Sequence, residues 1–334
     1  MAPAIRPDPF LPIYPVASGI QGDHPLTIKR KREKMADSVP NLLSSLSDAL
    51  IERVRLARPL VAGIAVSGHR MRSGILWRKD VLVASEQALP DVDDATVTLS
   101  DGGAVSARVV GRDPATNVIV LRADGTSDPA PVPAADPHPG ALVLALGVDN
   151  GGLAARLGVI HSVGPAWHSR AGGRIDRRIT LDIAVTSREE GGPVLDASGG
   201  LLGMSTLGSR GRVLVIPRAT IDAVLEPLLE KGRVERGWLG VALQPVLVPE
   251  ALQSAAEQSR GLMIMGLSKG GPAAQSGLHV GDILLAIGGE AVRSAAIVAQ
   301  RLGPDSVGQE IELRLIRAGV VLSPKAKVGV RPSK

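Results

Sequence analysis

From about Leu60 to Pro217 the chain never sustains a long apolar stretch. Short Val/Ile/Leu/Ala runs of four to eight residues alternate there with Gly, Asp, Pro and Ser. Val61–Val66, Val81–Ala84, Ala95–Leu99, Val118–Leu121, Leu142–Leu146, Ile179–Ile183 and Leu214–Ile216 are the clearest of these runs. A buried strand needs no more apolar residues than this, and turn residues on either side end it. The texture therefore predicts an all-β sandwich or barrel. Asp101-Gly102-Gly103, between Val97–Leu99 and Val105–Val109, reads as a hairpin turn.

Two stretches depart from this pattern. Leu42, Leu43, Leu46, Leu50, Ile51 and Val54 are spaced for one helical face over Leu42–Arg58, which Pro59 closes. Ile221, Val224, Leu225, Leu228 and Leu229 repeat that spacing over Ala219–Lys231, ending at Gly232. The expected organisation is a basic leader over 1–35, a helix within 36–58 and a β-rich domain over 59–220. A linker helix over 221–236 and a smaller domain over 237–331 complete it.

Composition excludes several function classes. Aromatic residues are only 1% of the chain, namely Phe10, Tyr14, Trp77, Trp167 and Trp238. The cores must be aliphatic, and a surface that stacks bases on aromatic rings is not available. The formal charge of +5 over 334 residues reads as ordinary solubility, so no nucleic-acid partner is expected. Its densest part, Lys29-Arg30-Lys31-Arg32 with Lys34, lies in a Pro-rich leader without periodicity and reads as a disordered, solvated segment. The chain has no cysteine, which removes disulfides, thiol nucleophiles and thiolate metal sites. No apolar run is long enough to span a bilayer. Residues 1–35 carry no apolar secretory core, and Met35 is a second candidate start. A cytoplasmic location is expected, with the periplasm as the alternative.

Five segments, in order, carry a resemblance. They are Ser73-Gly74-Ile75-Leu76, then Val81 to Leu89, then Asp113-Pro114-Ala115-Thr116-Asn117-Val118-Ile119-Val120-Leu121. Asp182-Ile183-Ala184-Val185 leading to Gly191-Gly192-Pro193-Val194-Leu195 is the fourth. Val215-Ile216-Pro217, running on to Arg236-Gly237-Trp238-Leu239-Gly240-Val241, is the last. Together these resemble the HtrA (Deg) group of trypsin-like serine proteases over residues 60 to 331. The resemblance implies a mainly β fold: a trypsin-like double β-barrel followed by a C-terminal α+β PDZ domain.

The family's chemistry is a serine nucleophile activated by a histidine base, which a buried aspartate orients. Matched residue by residue, Gln87 falls at the histidine, Asn117 at the aspartate and Glu190 at the serine. Gln87 cannot act as a general base near neutrality. Asn117 cannot stabilise an imidazolium, and Glu190 offers a carboxylate where an activated hydroxyl is needed. The Gly-Asn-Ser-Gly-Gly-Pro loop of the family reads Arg188-Glu189-Glu190-Gly191-Gly192-Pro193 here. That puts two carboxylates where transition-state negative charge should be stabilised. The resemblance with these replacements implies a pseudoprotease.

A rebuilt catalytic site finds little support in the residues. His24, His69, His138, His161, His168 and His279 all lie off the triad segments, and His69 and His161 sit near expected strand ends. Gly203-Met204-Ser205-Thr206 lacks the final glycine of a nucleophile elbow and reads as a strand. Glu189 and Glu190, adjacent on what reads as an extended loop, point apart rather than pairing as acid and base with Asp182. No spacing suits a metal site, and no cofactor is implied.

The PDZ resemblance implies a loop of backbone N–H groups, Gly237-Trp238-Leu239-Gly240-Val241, for a peptide's terminal carboxylate, with strand addition beside it. Gly270 to Leu278 and Gly281 to Ile287 match further PDZ signatures. A helix over Ser294–Leu302 would form the other wall, with some of Ala295, Ile297, Val298 and Arg301 turned to the ligand and others to the core. The expected function is a noncatalytic adaptor that binds protein or peptide C-termini. The alternatives are a regulatory subunit of an active HtrA-type endopeptidase, in homo- or hetero-oligomers with such relatives, and a residual serine-type endopeptidase. Family members trimerise through N-terminal segments often rich in aromatics, and Leu42–Arg58 has none.

Overall fold

A computed structural model describes residues 41–66, 71–208 and 211–332. The basic leader, Met35, His24 and His69 lie outside these residues. Contacts divide the described chain into two units, between Ile51 and Glu52. The first described element is helix α1 (Leu42–Ala57), and the rest of the description concerns the second unit.

Strands β1 (Val61–Ala65), β2 (Arg72–Arg78), β3 (Val81–Ser85), β4 (Asp94–Thr98), β5 (Ala104–Asp113) and β6 (Val118–Arg122) close into a barrel of order β1-β2-β3-β6-β5-β4. The Asp101-Gly102-Gly103 turn joins β4 to β5, whose register pairs Val97 with Val105. Inward positions alternate along these strands, so Ala62 and Ile64 meet Leu76, Leu82, Val97 and Leu121 in the core.

The second barrel takes β7 (Leu142–Asp149), β8 (Gly152–Gly164), β11 (Arg178–Leu181), β12 (Pro193–Asp196), β13 (Leu201–Leu207) and β14 (Val213–Pro217), in the order β11-β14-β13-β12-β7-β8. The short hairpin of β9 (Trp167–His168) and β10 (Arg174–Ile175) lies between β8 and β11 in sequence. Gly203-Met204-Ser205-Thr206 falls within β13. His161 lies three residues before the end of β8, with its Nε2 2.7 Å from Arg212 Nη1.

Both barrel cores are aliphatic. The one buried tryptophan, Trp77, instead anchors helix α2 (Arg218–Lys231). Its indole N–H donates to Asp222 at 3.0 Å, and the Arg218 guanidinium sits 5.8 Å over its ring.

After α2 come β15 (Gly237–Trp238), β16 (Val241–Leu247), α3 (Glu250–Ala256), β17 (Arg260–Leu267), α4 (Pro272–Gln275), β18 (Ile283–Ile287) and β19 (Glu290–Ala291). Helix α5 (Ala295–Arg301) and strands β20 (Glu310–Arg317), β21 (Val320–Leu322), β22 (Lys325–Lys327) and β23 (Gly329–Val330) complete the chain. The main sheet runs β16-β17-β18-β20-β21. Leu262, Ile264, Leu284, Leu313 and Leu315 pack beneath it with Leu239 and Val298. Each such buried side chain contributes about 1.5–3 kcal/mol of transfer free energy. The architecture is mainly β: two six-stranded barrels of the trypsin-like fold, then a PDZ-like sheet.

Candidate functional site

The strands bring Gln87, Asn117 and Glu190 together. Gln87 lies in the short turn after β3, Asn117 closes the β5–β6 hairpin with φ at 60°, and Glu190 lies in the turn before β12. Gln87 N–H donates to Asn117 Oδ1 at 2.8 Å. Gln87 Nε2 donates to Glu190 Oε1 at 2.5 Å and to Thr206 Oγ1 at 2.8 Å. Asn117 Nδ2 donates to Ser85 Oγ at 3.0 Å and to Thr206 Oγ1 at 2.8 Å.

Those two hydroxyls pass the chain on. Ser85 Oγ donates to Glu190 Oε1 at 3.0 Å and Thr206 Oγ1 does so at 2.8 Å, with Leu207 N–H adding a fourth donor at 3.2 Å. One carboxylate oxygen thus collects four donors from both barrels. The sequence did not single out Ser85 or Thr206, because small hydroxyl residues inside apolar strands carry no signal until their neighbours are known.

In this arrangement the Glu190 carboxylate is the common acceptor. Gln87 supplies amide protons where a base must accept one. Ser85, the hydroxyl nearest in role to a nucleophile, is fully buried, so a substrate carbonyl does not reach it. Glu189 N–H and Glu190 N–H both donate to Thr186 O at 3.1 Å.

The stretch Thr186 to Gly191 is therefore a tight hydrogen-bonded turn and not the extended loop expected from the sequence. The two glutamates still point apart, but the turn is what separates them. Two closely packed glycines fix it in place. A Cβ on Gly191 would collide with Ser73 O, and one on Gly192 with Leu146 O, so both positions need glycine.

Glu189 faces the other way. Arg156 grips it with Nε at 2.7 Å and Nη2 at 2.9 Å, and Thr186 N–H donates to it at 2.7 Å. Burial opposes its ionisation, but the Arg156 and Thr186 hydrogen bonds outweigh that and hold the carboxyl below its ordinary range. Arg188 pairs with Asp149 at 2.8 Å and with Asn150. Asp182 is exposed and accepts from Val159 N–H at 2.8 Å, apart from both glutamates' partners. Among the described residues, no group of His, Asp and Glu suits a metal ion.

A second candidate site lies between β16 and α5. A cleft of about 210 Å³ is lined on one side by Gly237, Trp238, Leu239, Gly240, Val241 and Leu243. On α5 the lining is Ala295, Val298 and Ala299, with Leu302 just past its end. Ile297 packs against the core, and Arg301 pairs with Glu290, so these two do not face the cleft. The loop is anchored by Ala273 N–H on Leu239 O and Ser268 N–H on Gly240 O, each at 2.8 Å. Among the described residues, the N–H groups of Leu239 and Gly240 have no backbone acceptor.

Known proteins share both halves of this architecture. Residues 72–204 match the trypsin-like peptidase domain and residues 237–328 match the PDZ domain. A probable periplasmic serine endoprotease DegP-like from Bartonella henselae is 30% identical over 280 residues, covering 79% of this chain and 55% of the relative. Its counterpart from Brucella suis is 31% identical over 257 residues, covering 73% and 50%. The solved HtrA-type protease AlgW with a decapeptide has a TM-score of 0.68 and 26% identity, covering 84% of this chain and 98% of that one. A serine endoprotease from Yersinia pestis gives 0.66 and 26%, covering 84% and 97%.

This chain belongs to the HtrA family and carries a C-terminal PDZ domain.

The HtrA-family chain spans about half the length of the curated relatives it matches. Those relatives are named periplasmic, which corrects the cytoplasmic expectation. That expectation rested on the make-up of residues 1–35, which decides nothing about export. No helix among the described residues is long and apolar enough to cross a membrane.

Proposed function

We propose that this chain is a catalytically inactive HtrA-family protein that binds the C-termini of proteins or peptides in its PDZ cleft. The observation that carries the reading is Glu190 Oε1 with its four donors. Gln87, Asn117 and Glu190 occupy the places of base, orienting acid and nucleophile, and Gln87 Nε2, Asn117 Nδ2 and Glu190 Oε1 are all engaged within the cluster. Glu190 N–H, which the family's chemistry needs for the oxyanion, is bonded to Thr186 O. The relatives are named endoproteases, and their chemistry does not transfer to these side chains.

The PDZ half of the reading rests on the cleft beside β16 and on the free N–H groups of Leu239 and Gly240. Backbone donors do not depend on side-chain identity, so this binding survives changes that abolish a triad. The similar AlgW structures are described with a decapeptide and with a tripeptide.

Cleavage of unfolded casein by purified protein, across pH 5 to 9 and beside Glu190→Ala, tests the inactive half. Silence is expected; cutting that Glu190→Ala abolishes makes the chain an enzyme and overturns it. A peptide with a free C-terminus that binds no better than its amidated form overturns the PDZ half.

A further inference from the structure

The cleft between β16 and α5 is apolar on its floor, where Leu239, Val241, Leu243, Val298 and Leu302 meet, and only two charged residues line it, Arg236 and Arg331. No carboxylate is among the lining residues. Of the two arginines, Arg236 is already committed. Its Nη1 and Nη2 each donate to an oxygen of buried Asp113 at 2.7 Å, which cancels its charge locally.

Arg331 is different. It lies one residue beyond β23, where β15 and β23 pair Gly237 with Val330, and its own N–H donates to Arg236 O at 3.0 Å. The backbone is therefore pinned beside the Gly237–Val241 loop, while among the described residues its guanidinium has no acidic partner. A cation without an acidic partner among the described residues, lining the same apolar cleft as Leu239 and Gly240, is complementary to a chain end that carries one negative charge and an aliphatic side chain.

Resting on the reading of the cleft as a peptide groove, we propose that Arg331 is a specificity-determining residue. It recognises the α-carboxylate of a peptide whose last residue is aliphatic. The terminal side chain enters between Val298 and Leu239, and the backbone N–H groups orient the carboxylate. Arg331 supplies the charge that separates a free C-terminus from a neutral one. Because Arg331 is exposed, its contribution is screened by salt, and the groove's apolar contacts are not.

The test is fluorescence polarisation on the full chain. The probe is a labelled decapeptide with uncharged side chains ending in Ala-Leu-Val, and its C-terminally amidated twin is the control. Wild type is expected to prefer the free carboxylate, with the preference shrinking as salt rises from about 50 to 300 mM. Arg331→Gln is expected to weaken the carboxylate probe about tenfold, leave the amide unchanged and lose the salt dependence. Arg331→Lys is expected to recover most of the loss, since it keeps the charge without the fork. If Arg331→Gln binds the carboxylate probe as wild type does, with discrimination against the amide intact, the role of Arg331 is overturned and the groove stands. If wild type binds neither probe, or both equally, the groove reading falls and this inference with it.

Discussion

Arg236 and Asp113, 123 positions apart, form a bidentate ion pair at 2.7 Å per contact. Asp113 ends β5 in the first barrel and is 2% exposed, while Arg236 directly precedes the PDZ strand β15. Thr116 Oγ1 donates to the same carboxylate at 2.7 Å, and Ala115 N–H does so at 3.2 Å. Removing one partner leaves a buried charge uncompensated. Arg236→Ala is expected to cost about 3–5 kcal/mol, read as a lowered Tm. Adding Asp113→Ala is expected to restore part of that, giving a double variant well above the sum of the single losses. Strict additivity in thermal denaturation contradicts the pairing.

Glu190 holds the barrels together through its acceptor oxygen. Glu190→Ala removes the acceptor for Ser85, Gln87, Thr206 and Leu207 and is expected to cost about 1–3 kcal/mol. Glu190→Ser, the single step toward a nucleophile, is expected to destabilise by a similar amount and to gain no casein cleavage. Urea denaturation with unchanged m-values reads the loss. A Glu190→Ser variant as stable as wild type contradicts the network.

The fold was legible because its signals are local. Strand runs, the Asp101-Gly102-Gly103 turn and the spacing of Leu42–Arg58 and Ala219–Lys231 each fix an element from neighbouring residues alone. Gln87, Asn117 and Glu190 each lie inside a recognisable segment, and the proposal that they stand at the triad positions rests on those local matches. What the sequence hid was the pairing across long separations. Ser85 with Glu190, Arg156 with Glu189, Arg236 with Asp113 and Arg331 beside the PDZ loop depend on strand register and barrel closure, which no local pattern encodes. The reading of 188–190 as an extended loop failed for this reason. The bond from Glu190 N–H to Thr186 O is set by Gly191 and Gly192 being pressed against Ser73 and Leu146.

Restoring the triad residues alone is not expected to restore proteolysis. Gln87→His, Asn117→Asp, Glu190→Ser leaves the N–H of residue 190, one of the two oxyanion donors, turned to Thr186 O, so the oxyanion still lacks that donor. Losing one such donor costs about 10²–10³ in rate. Casein cleavage by this variant is expected to rise at least tenfold when Arg188→Gly and Glu189→Asn are added, because those changes release the contacts to Asp149 and Arg156 that hold the turn. Equal activity with and without the two additions contradicts this.

Acid sensitivity is expected to come from two carboxylates, one on each side of α2 in sequence. Glu189 is held below its ordinary value of 4.5, and Asp282 below its ordinary 3.8, in both cases because hydrogen bonds outweigh burial. Arg156 and Thr186 act on Glu189, and Arg317 with His279 N–H acts on Asp282. A carboxylate whose folded pKa is depressed contributes stability that is complete above its unfolded value and is lost as pH falls through the folded value. The chain should thus hold its Tm down to about pH 4.5 and lose it progressively below. Glu86 opposes the trend: burial raises its pKa, so its protonation on acidification relieves a cost of folding. Glu189→Gln should lower Tm at pH 7 and flatten the acid limb, because the group that titrates there is gone. If Glu189→Gln runs parallel to wild type from pH 7 to pH 3, Glu189 contributes nothing to the acid limb.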